Sequence, residues 1–150
     1  MITVVIGGTF DELHVGHLKL ISRAFSLGNK VIIGLTSDEF AEKSKKRRIT
    51  PYKNRREKLI NMIKKTFKFR DFEVLTIEDI YGPTLHRRDI DIIVVSTETY
   101  KGAKLINKKR LERGLNPLLI YVIGLVKTTT GEKISSLDIK RDVFDAWGRK

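Results

Sequence analysis

Two histidines close to the start of the chain are the residues best suited to chemistry. His14 and His17 stand three residues apart with Gly16 between them, just after a Gly-Gly-Thr-Phe stretch at 7–10. Imidazoles at this spacing face the same side of a helix, and small residues let the backbone approach a ligand. A helix that begins here presents free N–H groups and partial positive charge to an anion. The pattern predicts a phosphate site; a metal site or an ordinary glycine turn are the alternatives.

The elements that must position these residues follow from the apolar pattern. Short β-branched runs predict strands at 2–6, 31–35, 73–77, 90–95 and 118–123. Helical spacing of apolar residues predicts helices at 15–27, 54–67, 100–113 and 136–147. Continuous apolar strands that alternate with helices are typical of a doubly wound α/β fold. We expect a mainly five-stranded parallel sheet with helices on both faces, and one domain over residues 1–150.

Ligands of such a sheet bind beyond the carboxyl ends of the strands. The first, second, fourth and fifth predicted strands are followed by the segments 7–17, 37–48, 96–102 and 127–136, which contain the residues of interest. We expect the lysine-rich part of the second segment to be a mobile loop over the site. Tyr100, in the third segment, lies either near a bound base or in the core.

Positive charge is concentrated in one part of the chain. The net charge is +12, and residues 43–70 contain 13 of the 30 basic residues with one acidic residue, Glu57, so the remainder is neutral. A localised patch favours a localised anionic partner. A basic nucleic-acid-binding module is the alternative of another class, but it leaves the two histidines unexplained. We expect Lys64, Lys65, Lys68 and Arg70 to form the solvated side of a helix.

Composition excludes several other classes of protein. The absence of cysteine excludes disulfides, thiolate metal sites and cysteine nucleophiles. The chain has no apolar run near the ~18 residues of a spanning helix, and it opens on a strand rather than an export signal. We therefore expect a cytoplasmic protein without a membrane partner.

A second motif, Ile134-Ser135-Ser136, stands near the end of the chain. Together with the histidine motif it resembles the HxGH nucleotidyltransferases, which transfer a nucleotidyl group from ATP or CTP to a phosphate or related acceptor. The resemblance implies a Rossmann-like nucleotidyltransferase fold. Leu137 stands where many members have Thr, and either Lys140 or Arg141 can fill the family's arginine position.

Within that family the chain is most similar to archaeal-type members that adenylylate 4'-phosphopantetheine. The similarity covers nearly the whole chain, including the segments 8–17, 36–39, 51–56 and 95–102. It implies in-line transfer from ATP without a covalent intermediate, with dephospho-coenzyme A and pyrophosphate as products. FMN, nicotinamide mononucleotide and a polyol phosphate are the alternative acceptors.

The resemblance also implies roles for individual residues. The expected catalytic residues are Thr9, His14, His17 and Lys46. The expected ATP-binding residues are Gly7, Gly8, Thr9, Phe10, His14, Gly16, His17, Glu98, Thr99, Ser135, Ser136, Lys140 and Arg141. The expected phosphopantetheine-binding residues are Thr9, Lys45, Lys46, Arg47 and Arg55.

The expected partners and cofactor complete this set of predictions. ATP and 4'-phosphopantetheine are the expected partners, without nucleic acid, and the protein is expected to be a monomer or small oligomer. Mg²⁺ is expected as cofactor, held mainly by ATP phosphates and not by a protein metal site. Asp11 is either an indirect Mg²⁺ ligand or a residue that stabilises the turn.

Overall fold

The computed structural model describes residues 1–45 and 47–124, which alternate strands and helices. The elements, in chain order, are β1 (Thr3–Gly8), α1 (Val15–Leu27), β2 (Lys30–Thr36), α2 (Asp38–Lys45), α3 (Tyr52–Thr66), β3 (Asp71–Ile77), a 3₁₀ turn (Gly82–Leu85), β4 (Ile92–Ser96), α4 (Tyr100–Glu112) and β5 (Leu119–Ile123). The predicted helix at 136–147 lies outside the described residues.

The five strands form one parallel sheet in the order β3-β2-β1-β4-β5. Strand order reverses about β1, so the crevice of a doubly wound sheet lies beyond its carboxyl end. Gly7 and Gly8 belong to β1 and pair with Gly34 and Leu35 of β2. The predicted five-stranded parallel sheet is confirmed. The two glycines of the first motif are the last residues of β1.

Each face of the sheet has its own apolar core. Val4 and Ile6 point to a cluster that includes Ile21 of α1 and Leu59 of α3. Val5, between them, points to the opposite cluster, where Ala103 and Ile106 of α4 pack. This alternation confirms helices on both faces of the sheet.

Helix α2 corrects the expectation of a loop after β2. Ser37 Oγ accepts the Phe40 backbone N–H at 3.1 Å, which satisfies a free donor at the start of the helix. Acidic residues occupy its first turn and basic residues, Lys43 and Lys45, its last turn, so both ends complement the helix dipole. Only Ala41 is buried, which is why apolar periodicity did not reveal the helix.

The amino end of the sheet carries a small ionic network. Glu73 Oε1 lies 3.1 Å from Lys30 Nζ and 3.3 Å from Arg87 Nη1. Arg87 also pairs with Asp89 at 2.7 Å. In the described residues, no helix is long and apolar enough to cross a membrane.

Candidate active site

The two histidines cap their own helix. The Gly16 backbone N–H donates to His14 Nδ1 at 3.0 Å, and the His14 N–H donates to His17 Nδ1 at 3.3 Å. The rings stack with centroids 3.9 Å apart, so they face the same way, as their spacing predicted. Because Nδ1 of each ring accepts a backbone N–H, the proton of the neutral ring resides on Nε2.

His17 is held in its neutral form. Burial of the ring, and then the nearby charges of His14 and Lys45, lower the pKa of His17 to about 4. A hydrogen bond with the Glu12 backbone acts in the opposite direction and raises it. A ring with this pKa is a neutral hydrogen-bond donor near pH 7. Lys45 therefore lies close enough to His17 to act on it electrostatically, although its own side chain is exposed.

Phe10 and Gly16 set the positions of the two rings. Phe10 has a φ of +48° and is 2% exposed, and its ring centroid lies 5.0 Å from that of His17. A Cβ on Gly16 would lie 2.8 Å from His14 Cε1, and one on Gly8 would lie 3.0 Å from the Phe10 ring. Gly16 was expected to give an anion room, and in this fold it gives room to the His14 ring.

Arg55 ties Thr9 to the rest of the site. Its side chain is fully buried and donates to the Thr9 carbonyl at 2.9 Å, the Thr50 carbonyl at 2.7 Å and the Asp38 carboxylate at 2.8 Å. It also lies 3.4 Å from Thr36 Oγ1, which donates to Thr9 Oγ1 at 3.1 Å. Arg55 was predicted to bind the acceptor phosphate; its guanidinium instead hydrogen-bonds protein groups that position Thr9.

Asp11 holds the segment after α2 against the turn after β1. Its carboxylate accepts the Thr50 backbone N–H at 3.0 Å and pairs with Arg47 at 3.2 Å. Hydrogen bonds from the Thr50 side chain and backbone, and then from Arg47, lower the pKa of Asp11. Of its two expected roles, these contacts favour stabilisation of the turn. Arg47 was predicted to bind the acceptor, and more than half of its side chain remains exposed.

The residues after β4 lie at the same end of the sheet. Thr99 Oγ1 accepts the Ser96 backbone N–H at 3.0 Å at the start of α4, and Glu98 and Thr99 are exposed. Tyr100 packs against the second core cluster, with the Lys104 ammonium 5.2 Å from its ring centroid. Tyr100 was expected either near a bound base or in the core, and its packing favours the core.

The fold thus places Thr9, His14, His17 and Lys45 in the segments that follow the carboxyl ends of β1 and β2, with Lys45 near His17. The predicted residues Lys46, Ser135, Ser136, Lys140 and Arg141 lie outside the described residues. Sequence reasoning missed Thr36 and Asp38 as partners of Thr9 and Arg55. A polar Thr-Ser-Asp run directly after a buried strand was the available signal.

Four other basic residues of 43–70 stand at or after the carboxyl end of α3. Lys64 and Lys65 are exposed on α3, as expected of a solvated helix side, and Lys68 is exposed after the helix ends at Thr66. Arg70 instead donates to the Phe25 and Gly28 carbonyls, and its guanidinium carbon lies 4.9 Å from the Phe25 ring centroid. Two cavities of the described part also lie elsewhere, one along the outer side of α3 and one at the amino end of β4 and β5.

The fold and this site have relatives among known proteins. A family model described as cytidylyltransferase-like matches residues 5–142. The chain therefore belongs to the cytidylyltransferase-like family of nucleotidyltransferases.

Individual relatives narrow this membership. A Pyrococcus furiosus protein named phosphopantetheine adenylyltransferase is 46% identical over 146 residues, which cover 97% of this chain and 91% of that protein. A Methanopyrus kandleri protein of the same name is 41% identical, covering 93% and 89%. A solved Archaeoglobus fulgidus structure, titled a protein with unknown function, is 36% identical with a TM-score of 0.77, covering 88% of this chain and 97% of that one. Within the family, the chain is a member of the phosphopantetheine adenylyltransferase group, which confirms the resemblance.

Proposed function

We propose that this chain transfers the adenylyl group of ATP to 4'-phosphopantetheine, with dephospho-coenzyme A and pyrophosphate as products. The supporting observation is the stacked His14–His17 pair at the start of α1, in a chain whose archaeal relatives carry that activity in their names. An acceptor phosphate oxygen forms a bond to the α-phosphorus while the bond from that phosphorus to pyrophosphate breaks. The electron pair leaves with pyrophosphate, so no covalent enzyme intermediate is needed.

The main task of such a site is to hold two mutually repelling anions in line. His14 and His17 each direct Nδ1 to the backbone, so Nε2 is the ring nitrogen that donates to phosphate oxygens. A neutral His17 donates without titrating near pH 7. Donors already oriented by the helix cap stabilise charge that develops in the transition state without reorganisation.

Thr9 and the basic residues at 45–47 complete the proposed site. The Thr9 hydroxyl accepts from Thr36, so its own proton is available to a phosphate oxygen. Arg55 is a positioning residue that acts through the Thr9 carbonyl. Lys45, Lys46 and Arg47 supply positive charge for the acceptor phosphate, and Gly7, Gly8, Glu98 and Thr99 lie on the nucleotide side. Ser135, Ser136 and Lys140 or Arg141 are proposed to bind the triphosphate.

A divalent cation accompanies ATP in this proposal, and Mg²⁺ is our choice. Among residues 1–45 and 47–124, no group of three acidic, histidine or cysteine residues is arranged to hold a metal. Triphosphate oxygens and water suit Mg²⁺, which is commonly bound through few protein carboxylates. When bound, it would neutralise charge on the β- and γ-phosphates.

The acceptor is tested by pyrophosphate release from ATP and from CTP with a panel of acceptors. The panel contains 4'-phosphopantetheine, FMN, nicotinamide mononucleotide and glycerol phosphate. We expect turnover with ATP and 4'-phosphopantetheine, and mass spectrometry should identify dephospho-coenzyme A. Turnover with a different acceptor alone would overturn the proposal.

The role of the histidine pair is tested by His17→Ala. Loss of a preorganised donor to the transferring phosphoryl group should lower kcat by about 10²- to 10³-fold. His86→Ala is the matched control, since His86 is exposed and lies beyond the 3₁₀ turn. Circular dichroism should show both variants folded. A His17→Ala enzyme with the kcat of the His86→Ala enzyme would remove the role assigned to the pair.

A further inference from the structure

A cavity of about 260 Å³ lies at the amino end of the sheet, opposite the candidate active site. We call it the distal cavity; it is lined by Arg88, Ile90, Asp91, Arg110 and residues 115–117. Asp91 directly precedes β4, and its carbonyl accepts the backbone N–H of Leu119, the first residue of β5. The cavity therefore lies where these two strands begin, some distance from the chemistry proposed above.

Arg110 is the buried cation of this cavity. Its residue is 1% exposed. Nη1 donates to the Thr84 and Arg87 carbonyls at 2.6 and 3.0 Å, and Nε donates to the Asn116 carbonyl at 2.7 Å. Within the described residues, Nη2 has no protein acceptor, although Arg110 lines the cavity.

Among the described residues, the positive charge of Arg110 lacks a compensating acid. Carbonyl oxygens satisfy hydrogen bonds, but they carry no net charge, and a buried unpaired cation is costly. Burial and then the charge of Arg88 lower the pKa of Arg110, which expresses the same imbalance. In the part of the chain that the structure describes, no ion pair within 4.0 Å reaches Arg110.

Asp91 is the acidic residue of the cavity wall, and it does not neutralise the two arginines. Its Oδ2 accepts the Thr3 backbone N–H at 2.9 Å, and no described ion pair joins it to Arg88 or Arg110. Two guanidinium groups against one carboxylate leave the wall with net positive charge. Asn116, beside them, adds a polar side chain.

We propose that the distal cavity binds a small oxyanion, a phosphate or a carboxylate, that pairs with Arg110 and Arg88. The anion supplies both the missing acceptor for Nη2 and the missing negative charge. Guanidinium forks match the oxygen geometry of both groups. A volume of about 260 Å³ is below the usual ~300–1,000 Å³ of small-molecule pockets, so the ligand is smaller than a nucleotide.

The test is an NMR titration of the ¹⁵N-labelled full chain with inorganic phosphate, and separately with acetate, at constant ionic strength. We expect saturable shifts of the Leu115 and Asn116 amides and of Arg110 Nε–H. Phosphate bound at the candidate active site shifts Gly8 and His17 instead, so the two sites are distinguished. Saturation by phosphate alone or by acetate alone identifies the preferred oxyanion.

Three variants that leave Arg110 in place sharpen the test. Arg88→Ala should weaken binding about tenfold, the effect of one lost charge-assisted contact. Arg113→Ala makes the same charge change at an exposed position just after α4 and should have little effect. Asp91→Asn keeps an oxygen for the Thr3 N–H and should tighten binding about threefold.

Two results would overturn the proposal. The first is an absence of saturable shifts at residues 115–117 with both phosphate and acetate. The second is equal weakening by Arg88→Ala and Arg113→Ala, because a diffuse surface effect would then explain the shifts. Arg88→Ala should keep the pyrophosphate-release rate of the parent chain, since Arg88 lies outside the candidate active site.

Discussion

Arg55 and Arg110 are both 1% exposed, at opposite ends of the same sheet. Each donates to backbone carbonyls of segments distant in the chain, so each holds loops in place. Only Arg55 also has a carboxylate partner, Asp38 at 2.8 Å. Within residues 1–45 and 47–124, the carboxyl end of the sheet therefore neutralises its buried cation, whereas the amino end does not.

The difference indicates different tasks for two similar side chains. At the carboxyl end, pairing with Asp38 removes Arg55 from competition for substrate phosphates and makes it a rigid support for Thr9. At the amino end, Arg110 keeps a donor and a charge that the described part of the chain leaves without an acid. A buried arginine is a structural support or a ligand site according to what compensates its charge.

The largest expected effect comes from Arg55→Met compared with Arg110→Met. Arg55→Met leaves two carbonyls and Asp38 without their partner, so unfolding free energy should fall by about 3 kcal/mol. Displacement of Thr9 should lower kcat about 100-fold. Arg110→Met should cost about 2 kcal/mol, because loss of an uncompensated charge offsets part of the lost hydrogen bonding. Urea unfolding and pyrophosphate release measure both quantities.

Arg56→Met is the matched control for that comparison, since Arg56 neighbours Arg55 but is exposed. We expect its stability and kcat to stay close to those of the parent chain. If Arg110→Met lowered kcat as much as Arg55→Met, the two ends would not be functionally distinct. If Arg55→Met kept full kcat, Arg55 would be no positioning residue.

The second expected effect is on the pH dependence of stability, which differs between the two ends of the sheet. His17 has a pKa of about 4 in the folded chain, against an unperturbed value of 6.5. As the pH falls, the unfolded chain therefore takes up a proton at this residue before the folded chain does. The contribution of His17 to the free energy of unfolding is complete above pH 6.5 and is lost as pH falls toward 4. After allowance for the partly exposed ring, the loss is about 2 kcal/mol. The stability gap between the parent chain and His17→Asn should narrow by that amount in urea unfolding from pH 7 to 4.

The acidic residues of the amino end respond to acid in a lower pH range than His17. Hydrogen bonding to Lys30 lowers the pKa of Glu73 from 4.5, and hydrogen bonding to Arg87 lowers that of Asp89 from 3.8. Their stabilisation is present above those values and is lost as pH falls through the lowered pKa values. An NMR midpoint for His17 near 6.5 would contradict the separation of the two ends.

Much of this arrangement could be predicted from the sequence because it is local. Helix α1 begins and ends where apolar spacing predicted, at Val15 and Leu27, and the histidine pair faces one way because of its spacing. Strand positions followed from buried β-branched runs. The histidine cap joins residues at most three apart, so neighbouring positions define it.

The parts that escaped prediction depend on contacts distant in sequence. Arginine is seldom buried, so nothing near Arg55 indicated that it turns inward to Thr9, 46 positions away. Phe10 was expected near ATP, and its positive φ instead turns the side chain into the core below His17. The distal cavity is likewise lined by residues from separate parts of the chain, at 88–91, 110 and 115–117. Only the folded sheet brings these residues together.

The smallest expected effect comes from Asp89→Asn at the amino end. Asp89 is about half exposed, and Arg87 retains Glu73 as a second acidic partner, so unfolding free energy should fall by only ~0.5 kcal/mol. The same change at the carboxyl end, Asp11→Asn, removes a largely buried carboxylate that joins Arg47 and Thr50 to the turn before α1. It should cost about 1 kcal/mol and lower kcat, whereas Asp89→Asn should leave kcat unchanged. Urea unfolding at pH 7 with pyrophosphate release compares the two; equal effects on kcat would show that the catalytic site does not depend on carboxyl-end contacts in particular.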